Sequence, residues 1–337
     1  MPFPPFRPYV RVKAEAFAAY AEGTFDITPS LHLTAGGRFS SETKKARNND
    51  GGPNGVLMLD ASQKFDAFTP RASLRYDLTT QSSVYASYSQ GFKSGLFDGG
   101  ATGACNTVAS PNCPSHGTAV LPEKVRAYEA GYKYNAGSTV ISAAAYYSTY
   151  KNIQINALNA INQQVLYNAA AGEIYGAELE VTANVTSNLN LHVGGAYTHG
   201  EYTDFPQAQN FVPLPNGGNA QSTGNNKGFQ LIRTPEWTGF VSGTYTHALP
   251  VGSLEANLTV SYSDTFFWHV DNRLKQPAFA IVNGRLSWDM SEMLKFTVFG
   301  DNLTNQRTEL YVREATVGDF ASYSRPRTYG FAVSAKF

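Results

Sequence analysis

Apolar and polar residues alternate along most of this chain with a period of two residues. The segment LEANLTVSY (254–262) has apolar residues at every second position, and LHLTAGGRF (31–39) and YGAELEVTA (175–183) repeat the pattern. Successive side chains of a β-strand point to opposite faces, so each segment predicts a strand with one apolar and one polar face. No segment has a sustained period of 3.6 residues, and we therefore expect very little helix.

The alternating segments and their connections predict an up-and-down arrangement of about thirteen strands. The predicted strands lie near residues 13–26, 30–46, 64–77, 82–94, 122–135, 138–155, 164–184, 188–203, 235–249, 252–270, 277–290, 293–307 and 322–337. Short connections at 26–30, 78–82, 134–138, 184–188, 249–253 and 290–293 alternate with longer ones at 47–63, 95–121, 156–163, 204–234, 271–276 and 308–321. An antiparallel barrel with short turns at one rim and long loops at the other has this alternation.

The composition favours a barrel that lies in a membrane. Charged residues make up 15% of the chain and aromatic residues 13%, whereas a typical soluble protein has roughly 25% charged residues. No apolar run reaches the roughly 18 residues that a spanning helix needs. A soluble all-β sandwich is the alternative, but it does not account for the alternation of loop lengths. A net charge of zero and the lack of a basic stripe argue against nucleic acid as a partner.

The number of strands and the two ends of the chain raise a question about completeness. In an antiparallel sheet with an odd number of strands the first and last run parallel, and bacterial barrels have even numbers. The start, MPFPPFRPYVRVK, has no visible signal peptide. We therefore expect residues 1–12 to be an irregular lead and 13–337 to be part of an all-β, antiparallel, up-and-down transmembrane barrel, open and incomplete by itself. Unpaired backbone groups in lipid are costly, so the chain alone is not expected to insert stably as a monomer.

Seven segments resemble, in order, the C-terminal barrel half of TonB-dependent outer-membrane receptors. They are FTPRASLRYDL (68–78), VYASYSQGFKSG (84–95), PEKVRAYEAGYK (122–133), AAYYSTYKNIQI (144–155), NAAAGEIYGAELE (168–180), FGDNLTNQR (299–307) and PRTYGFAVSAKF (326–337). The resemblance implies a barrel of about twenty-two strands filled by an N-terminal plug. This chain then corresponds to the last thirteen strands, without the signal peptide, the TonB box, the plug and about nine strands.

The resemblance also implies a function, a location and partners. An intact member would take up a ferric siderophore or another scarce large solute in the outer membrane of a Gram-negative bacterium. Its partners would be outer-membrane lipid, the barrel-assembly machinery, the ferric siderophore-like ligand and, through the missing N-terminal region, the TonB complex. The alternatives are a non-functional barrel remnant, a passive porin and an autotransporter-type barrel anchor.

Candidate residues follow from this interpretation. The terminal segment resembles an outer-membrane assembly signal, with Tyr329, Phe331, Val333 and Phe337 facing lipid. Polar residues expected to face the lumen are Arg38, Arg71, Arg75, Glu129, Glu178, Glu180 and Arg285, either as functional contacts or as a plain hydrated wall. Candidates for ligand binding in the exterior loops are Lys93, Phe97, Phe205, Phe211, Phe229 and Arg233.

Other chemistry finds little support in the sequence. Cys105 and Cys113 lie eight residues apart in a Gly/Pro/Ser/Asn-rich loop and can form a disulfide in an oxidising compartment; free thiols are the alternative. The six histidines are scattered, and no nucleophile elbow, HExxH pair or phosphate-binding glycine loop occurs. We therefore expect no enzymatic activity, no metal site and no cofactor.

Overall fold

The structure is a computed structural model that describes residues 9–50, 56–97, 119–158 and 164–336. Within these residues, thirteen strands form one antiparallel sheet in which neighbours in space follow the order of the chain. The thirteen strands are β1 (Tyr9–Thr28), β2 (Leu31–Asp50), β3 (Val56–Asp77), β4 (Ser82–Lys93), β5 (Glu123–Asn135), β6 (Thr139–Leu158), β7 (Gln164–Asn184), β8 (Leu189–Asp204), β11 (Trp237–Ala248), β12 (Ser253–Ser263), β15 (Phe279–Ser291), β16 (Leu294–Asp301) and β19 (Thr328–Ala335). β1 already begins at Tyr9, inside the segment 1–12 that was expected to be irregular.

The two edges of the sheet, β1 and β19, do not pair with each other within the described residues, so the sheet is open there. This confirms the prediction of an all-β fold with about thirteen antiparallel strands. None of the described residues belongs to a helix long and apolar enough to cross a membrane.

The register carries the period of two from strand to strand, so the sheet has one apolar face and one polar face. On the apolar face, Val84 lies opposite Tyr132, Tyr132 opposite Ala143, and Ala143 opposite Leu179. Large exposed side chains of this face include Phe68, Leu74, Val241, Leu258, Leu286, Val298, Phe331 and Val333. A surface this apolar that stays uncovered is typical of a barrel wall in contact with lipid.

A continuous row of rings crosses five strands on the apolar face, and we call it the aromatic row. Tyr88, Tyr128, Tyr147, Tyr175 and His199 lie opposite one another in succession from β4 to β8. The rings of Tyr88 and Tyr128 are 5.1 Å apart, and those of Tyr175 and His199 are 4.8 Å apart and stacked. Aromatic belts of this kind mark the level at which a barrel leaves the hydrocarbon.

The two ends of the sheet differ as the loop lengths predict, and we call them the short-turn end and the long-loop end. At the short-turn end the chain reverses within a few residues; in the turn after β11, Gly252 has φ 77°. A Cβ atom there would lie 1.9 Å from the Asp289 carbonyl oxygen, so this turn requires glycine.

The long-loop end contains three hairpins that the sequence interpretation missed, because it treated 204–234, 271–276 and 308–321 as irregular loops. They are β9 (Ala208–Pro213) with β10 (Asn219–Gly224), β13 (Phe266–Phe267) with β14 (Lys275–Gln276), and β17 (Glu309–Ala315) with β18 (Gly318–Tyr323).

Three strand boundaries were wrong for a related reason. Segments 252–270 and 322–337 were each predicted as one strand, but each contains residues of a loop hairpin and of a sheet strand. The segment 293–307 ends early, at Asp301, because Asn302 and Asn305 adopt positive φ in the following turn. Alternation of apolar and polar residues does not show where one strand stops and a neighbouring hairpin begins.

Candidate functional site

A cavity of about 680 Å³ lies at the long-loop end, between the polar face of the sheet and the three hairpins. β5 to β8 provide one wall, β9 and β17 face them, and the segments 231–234 and 268–270 complete the lining. Its aromatic residues are Tyr150, Tyr202, Phe211, Trp268 and Tyr311, and its charged residues are Glu123, Arg233, Arg313 and Glu314. A largely apolar pocket with a few converging polar groups is the usual form of a small-molecule site.

A small hydrophobic core supports the cavity from below. Tyr202, which lines the cavity, packs against Phe205 with ring centres 5.0 Å apart, and Phe205 has no exposed surface. Ala170 and Ala208 complete this core, with Leu231 packed against it. The aromatic wall is therefore held in place by packing before any ligand binds.

Arg233 is fixed at the cavity by its backbone and by an aromatic ring. Its φ of 55° turns the chain sharply, and its N–H donates to the Phe267 carbonyl at 2.8 Å. Its guanidinium carbon lies 4.7 Å from the centre of the Trp268 ring, a cation–π contact. Trp268 in turn donates from Nε1 to a carboxylate oxygen of Glu309 at 2.8 Å, which fixes the ring.

Arg313 provides a second cation on the exposed side of β17. Within the described residues neither Arg313 nor Arg233 forms an ion pair. Glu123 accepts a hydrogen bond from the Gln154 N–H at 3.0 Å, which partly satisfies its negative charge. The cavity thus has two guanidinium groups available to an anion.

Gln154 adds a polar atom without a partner. Its Nε2 donates to the carbonyls of Ser94 and Leu121, both at 3.0 Å, and this holds the two ends of the segment between β4 and β5 together. Its Oε1 is buried and has no hydrogen-bond partner among the described residues. Because a buried acceptor without a partner is costly, this oxygen is a candidate to accept a hydrogen bond from a ligand.

Arg273 joins two loops beneath the cavity. Its Nη1 and Nη2 each donate to Asp319 of β18 at 2.8 Å, and Nη2 also lies 2.8 Å from a Glu314 oxygen of β17. Asn219, the first residue of β10, donates to Asp319 at 2.9 Å and to the Ala315 carbonyl at 2.8 Å. We call Arg273, Asn219, Glu314 and Asp319, together with Asp271, the loop clamp.

Further hydrogen bonds tie the segment 270–272 to the first hairpin and its flank. The Phe211 N–H donates to Asp271 at 3.2 Å, and buried Asn226 donates to the Val270 carbonyl at 2.8 Å. Asn272 and Gln230 exchange hydrogen bonds at 2.8 and 3.0 Å. The hairpin β9–β10, the segment 268–273 and the hairpin β17–β18 therefore behave as one unit.

The titratable groups of the clamp have shifted pKa values. Burial, reinforced by the neighbouring Asp271 carboxylate, raises the pKa of Glu314 to about 8. Hydrogen bonding to Arg273 lowers the pKa of Asp319, and burial lowers the pKa of His269, which donates to the Val312 carbonyl. At neutral pH, Glu314 is therefore mainly protonated while Asp319 carries the charge that balances Arg273.

This arrangement predicts a pH-dependent clamp. The folded-state pKa of Glu314 lies above its ordinary value of 4.5, so the associated stability is complete below that value and is lost as the pH rises through about 8. His269 stays neutral above its ordinary pKa of 6.5, and Asp319 stays charged. Neither group therefore titrates between pH 6.5 and about 9, where Glu314 does.

Replacing Glu314 with glutamine is expected to abolish the loosening of the clamp between pH 6.5 and about 9, because glutamine cannot ionise. The signal is the fluorescence of Trp268 in a chain that carries Trp237→Phe and Trp288→Phe. Glu292→Gln, on an exposed turn, is the control and should keep the wild-type pH profile. An unchanged profile in Glu314→Gln would exclude Glu314 as the titrating group.

Of the six residues predicted to bind a ligand, two line the cavity and four do not. Phe211 and Arg233 line the cavity. Phe205 lies wholly within the core beneath it and offers no surface to a ligand, so we withdraw it as a contact. Three further candidates lie outside the lining of the cavity: Lys93, Phe229 and the buried Phe97. Cys105, Cys113 and Phe337 lie outside the described residues.

The seven polar candidates share the polar face, opposite Tyr329, Phe331 and Val333. Near β1 to β5 they border a depression of about 790 Å³, where Arg71 pairs with Glu22 at 3.1 Å and Tyr85 donates to Glu129 at 2.6 Å. Arg38 and Arg75 also line this depression; Glu178, Glu180 and Arg285 lie on the same face by register. That this face is a lumen wall stays a prediction.

Several site residues were missed by the sequence interpretation. Tyr150, Gln154 and Trp268 lay in segments predicted as regular strands, and Arg313 lay in a loop without a motif. The one available signal was the sequence FFWH (266–269), a cluster of rings beside a predicted loop. Nothing in the sequence indicates that these segments meet.

Comparisons with known proteins agree with this fold. A family model described as TonB dependent receptor-like, beta-barrel, matches residues 1–303. The pesticin receptor of Yersinia pestis is 24% identical over 326 residues, which make up 96% of this chain and 44% of that receptor. The rhizobactin receptor of Rhizobium meliloti (strain 1021) is 24% identical over 215 residues, 57% of this chain and 28% of that receptor.

Solved structures show the same likeness. The ferric yersiniabactin uptake receptor FyuA of Yersinia pestis superposes with a TM-score of 0.81 at 22% identity, over 98% of this chain and 47% of that one. The siderophore receptor PiuA of Acinetobacter baumannii gives 0.75 at 18% identity, over 97% and 44%. At these identities the likeness shows the fold. The chain spans less than half the length of these relatives.

Proposed function

Because this chain belongs to the TonB-dependent receptor-like β-barrel family, we propose that it is part of an outer-membrane receptor that imports an anionic, aromatic ferric siderophore. The family is one of transport receptors rather than enzymes. The proposed energy source is TonB, engaged through a part of the whole protein other than these strands. The proposed location is the outer membrane of a Gram-negative bacterium.

One observation carries the ligand class: two guanidinium groups that form no ion pair within the described residues lie among aromatic rings in one cavity. Arg233 and Arg313 suit a carboxylate, phenolate or catecholate oxygen, since charge-assisted hydrogen bonds from arginine favour such anions. Tyr150 is partly exposed and can offer ring surface to an aryl group, while the buried rings of Phe211 and Trp268 border the cavity beside it. The volume of about 680 Å³ is in the range of small-molecule sites.

The names of the relatives support a ferric siderophore as the ligand. The names of two of them refer to ferric yersiniabactin and rhizobactin, and another is a siderophore receptor. The exposed apolar face supports the outer-membrane location, because only a lipid environment leaves such a surface stable.

The test is iron uptake by the protein expressed from its complete native reading frame, in a Gram-negative host without siderophore receptors of its own. Radioactive iron is supplied as ferric yersiniabactin, ferric citrate or ferripyoverdine. We expect uptake of at least one anionic chelate, loss of uptake in a TonB-deficient host, and the protein in the outer-membrane fraction. Uptake that persists without TonB would refute energised transport. Uptake from none of the anionic chelates, with the protein in the outer membrane, would refute the ligand class.

A further inference from the structure

Three basic side chains cluster on the apolar face at the long-loop end of β5 and β6. Lys124 lies directly opposite Lys151, and Arg126, two residues further along β5, lies on the same side of the sheet. The next residue of this face on β5 is Tyr128, which pairs with Tyr147 in the aromatic row. The cluster therefore begins immediately beyond the aromatic row.

No acidic side chain among the described residues forms an ion pair with Lys124, Arg126 or Lys151. Nearby Lys64, by contrast, is paired with Asp66 at 3.2 Å. Like charges directly opposite each other on neighbouring strands are destabilising. The lysine pair is thus a repulsion that an external anion would relieve.

The cluster borders a small depression rather than a flat surface. A cavity of about 180 Å³ is lined by the three basic residues together with Phe68, Phe92 and the Asp66 carboxylate, which is paired with Lys64. Phe68 is 62% exposed, so an apolar surface lies beside the charges. This combination suits an amphiphile, with its anionic group on the cations and its hydrocarbon against the wall.

The position along the strands matches the depth of lipid headgroups. At about 3.3 Å per residue, Arg126 and Lys124 lie about 7 and 13 Å along the strand from Tyr128. Aromatic belts sit at the boundary of the hydrocarbon, so both cations reach the headgroup layer. Towards the short-turn end, the same face of β5 and β6 has Tyr132, Tyr134 and Ile141 and no cation. The charge therefore belongs to the leaflet at the long-loop end.

We propose that Lys124, Arg126 and Lys151 form a binding site for the phosphate groups of a phosphorylated glycolipid in the outer leaflet. The proposal rests on the outer-membrane location proposed above, and it is independent of the ligand in the cavity.

The test measures lipid binding by the whole protein in neutral detergent, with bisphosphorylated lipid A as the probe and native mass spectrometry as the readout. The double variant Lys124→Gln/Lys151→Gln should bind about 30-fold more weakly, since each cation near an anionic headgroup contributes about 1 kcal/mol. Asp66→Asn removes the local negative charge and should strengthen binding. Lys227→Gln/Lys275→Gln, the control, removes two exposed loop lysines and should bind like the wild type.

Two further results distinguish binding of the lipid from binding of a free anion and from a purely structural role of the lysines. Lipid A without phosphates should bind poorly, and equimolar inorganic phosphate should not compete; competition by inorganic phosphate would identify a free anion and overturn the proposal. In lipid-free detergent the Lys124→Gln/Lys151→Gln variant should unfold at the same or a higher temperature, because a repulsion is removed. A lower unfolding temperature for this variant, or lipid binding equal to that of the wild type, would also overturn the proposal. None of these measurements uses a ferric ligand, so a failure here leaves the uptake test undecided.

Discussion

Replacing both Arg233 and Arg313 with methionine is expected to weaken binding of an anionic ferric chelate by about a thousandfold. Hydrogen bonds to charged groups contribute about 1.5–3 kcal/mol each, so two of them amount to about 4 kcal/mol. Methionine keeps an apolar stem on Trp268, so the packing around Arg233 is largely preserved while the charge is lost.

The measurement is an equilibrium binding titration with ferric citrate and ferripyoverdine on the purified whole protein. Lys227→Met/Arg325→Met removes the same charge from exposed positions outside the cavity and should leave affinity within about twofold. A neutral ferric chelate should respond far less than an anionic one. Equal losses for neutral and anionic chelates would show that the two arginines act through shape and not through charge.

Arg273→Met is expected to lower affinity by about 30-fold although Arg273 is outside the cavity lining. The substitution removes the two hydrogen bonds that Arg273 donates to Asp319, leaving the one from Asn219, and places Asp271 and Glu314 together without a cation. The hairpins then separate in a larger fraction of molecules, and the apparent affinity falls with the fraction that keeps the cavity formed. Because the Arg273 side chain is partly exposed, we expect the loss of binding free energy to be about 2 kcal/mol.

Hydrogen exchange in the ligand-free protein distinguishes this mechanism from a direct contact. Amides of 208–224 and 309–323 should exchange faster in Arg273→Met, while those of β5 to β8 should not change. Arg273→Lys keeps the charge but cannot form the paired contacts with Asp319, so it should have an intermediate effect. Unchanged exchange in both hairpins, combined with lost affinity, would contradict a role in positioning the loops.

The sheet could be predicted from the sequence because its physical cause is local. Alternation such as that in 254–262 requires only that one face be apolar, and strand pairing in chain order follows from the connections. The three hairpins could not be predicted in this way. β9 and β10 are short, and β10 (NAQSTG) has almost no apolar residues; its position depends on hydrogen bonds from Asn219 and Asn226 to distant segments.

The cavity was less predictable than the sheet. Arg233 and Phe211 could be chosen as polar and aromatic residues of a long loop, but Phe205 from the same loop became core. What separates Phe205 from Phe211 is the packing of Phe205 on Tyr202 across a turn, which buries its ring completely. Arg313 became part of the site only because a hairpin brings it to the same cavity as Tyr150.

Strand lengths in the sheet determine how a solute approaches. β1, β2 and β3 have 20, 20 and 22 residues, about twice what crossing a membrane needs, whereas β16 and β19 have 8 each. At about 3.3 Å per residue and a tilt of about 40°, the long strands extend about 20 Å beyond the hydrocarbon, whereas the short ones span only about 20 Å in all and do not extend beyond it. The rim is therefore high on one side and low on the other, and on the low side the hairpin β17–β18 takes the place of a rigid wall. For the receptor proposed above, a large solute arriving from solution would meet the tall wall of β1 to β3 on one side and, on the low side, the hairpin β17–β18 that carries Arg313.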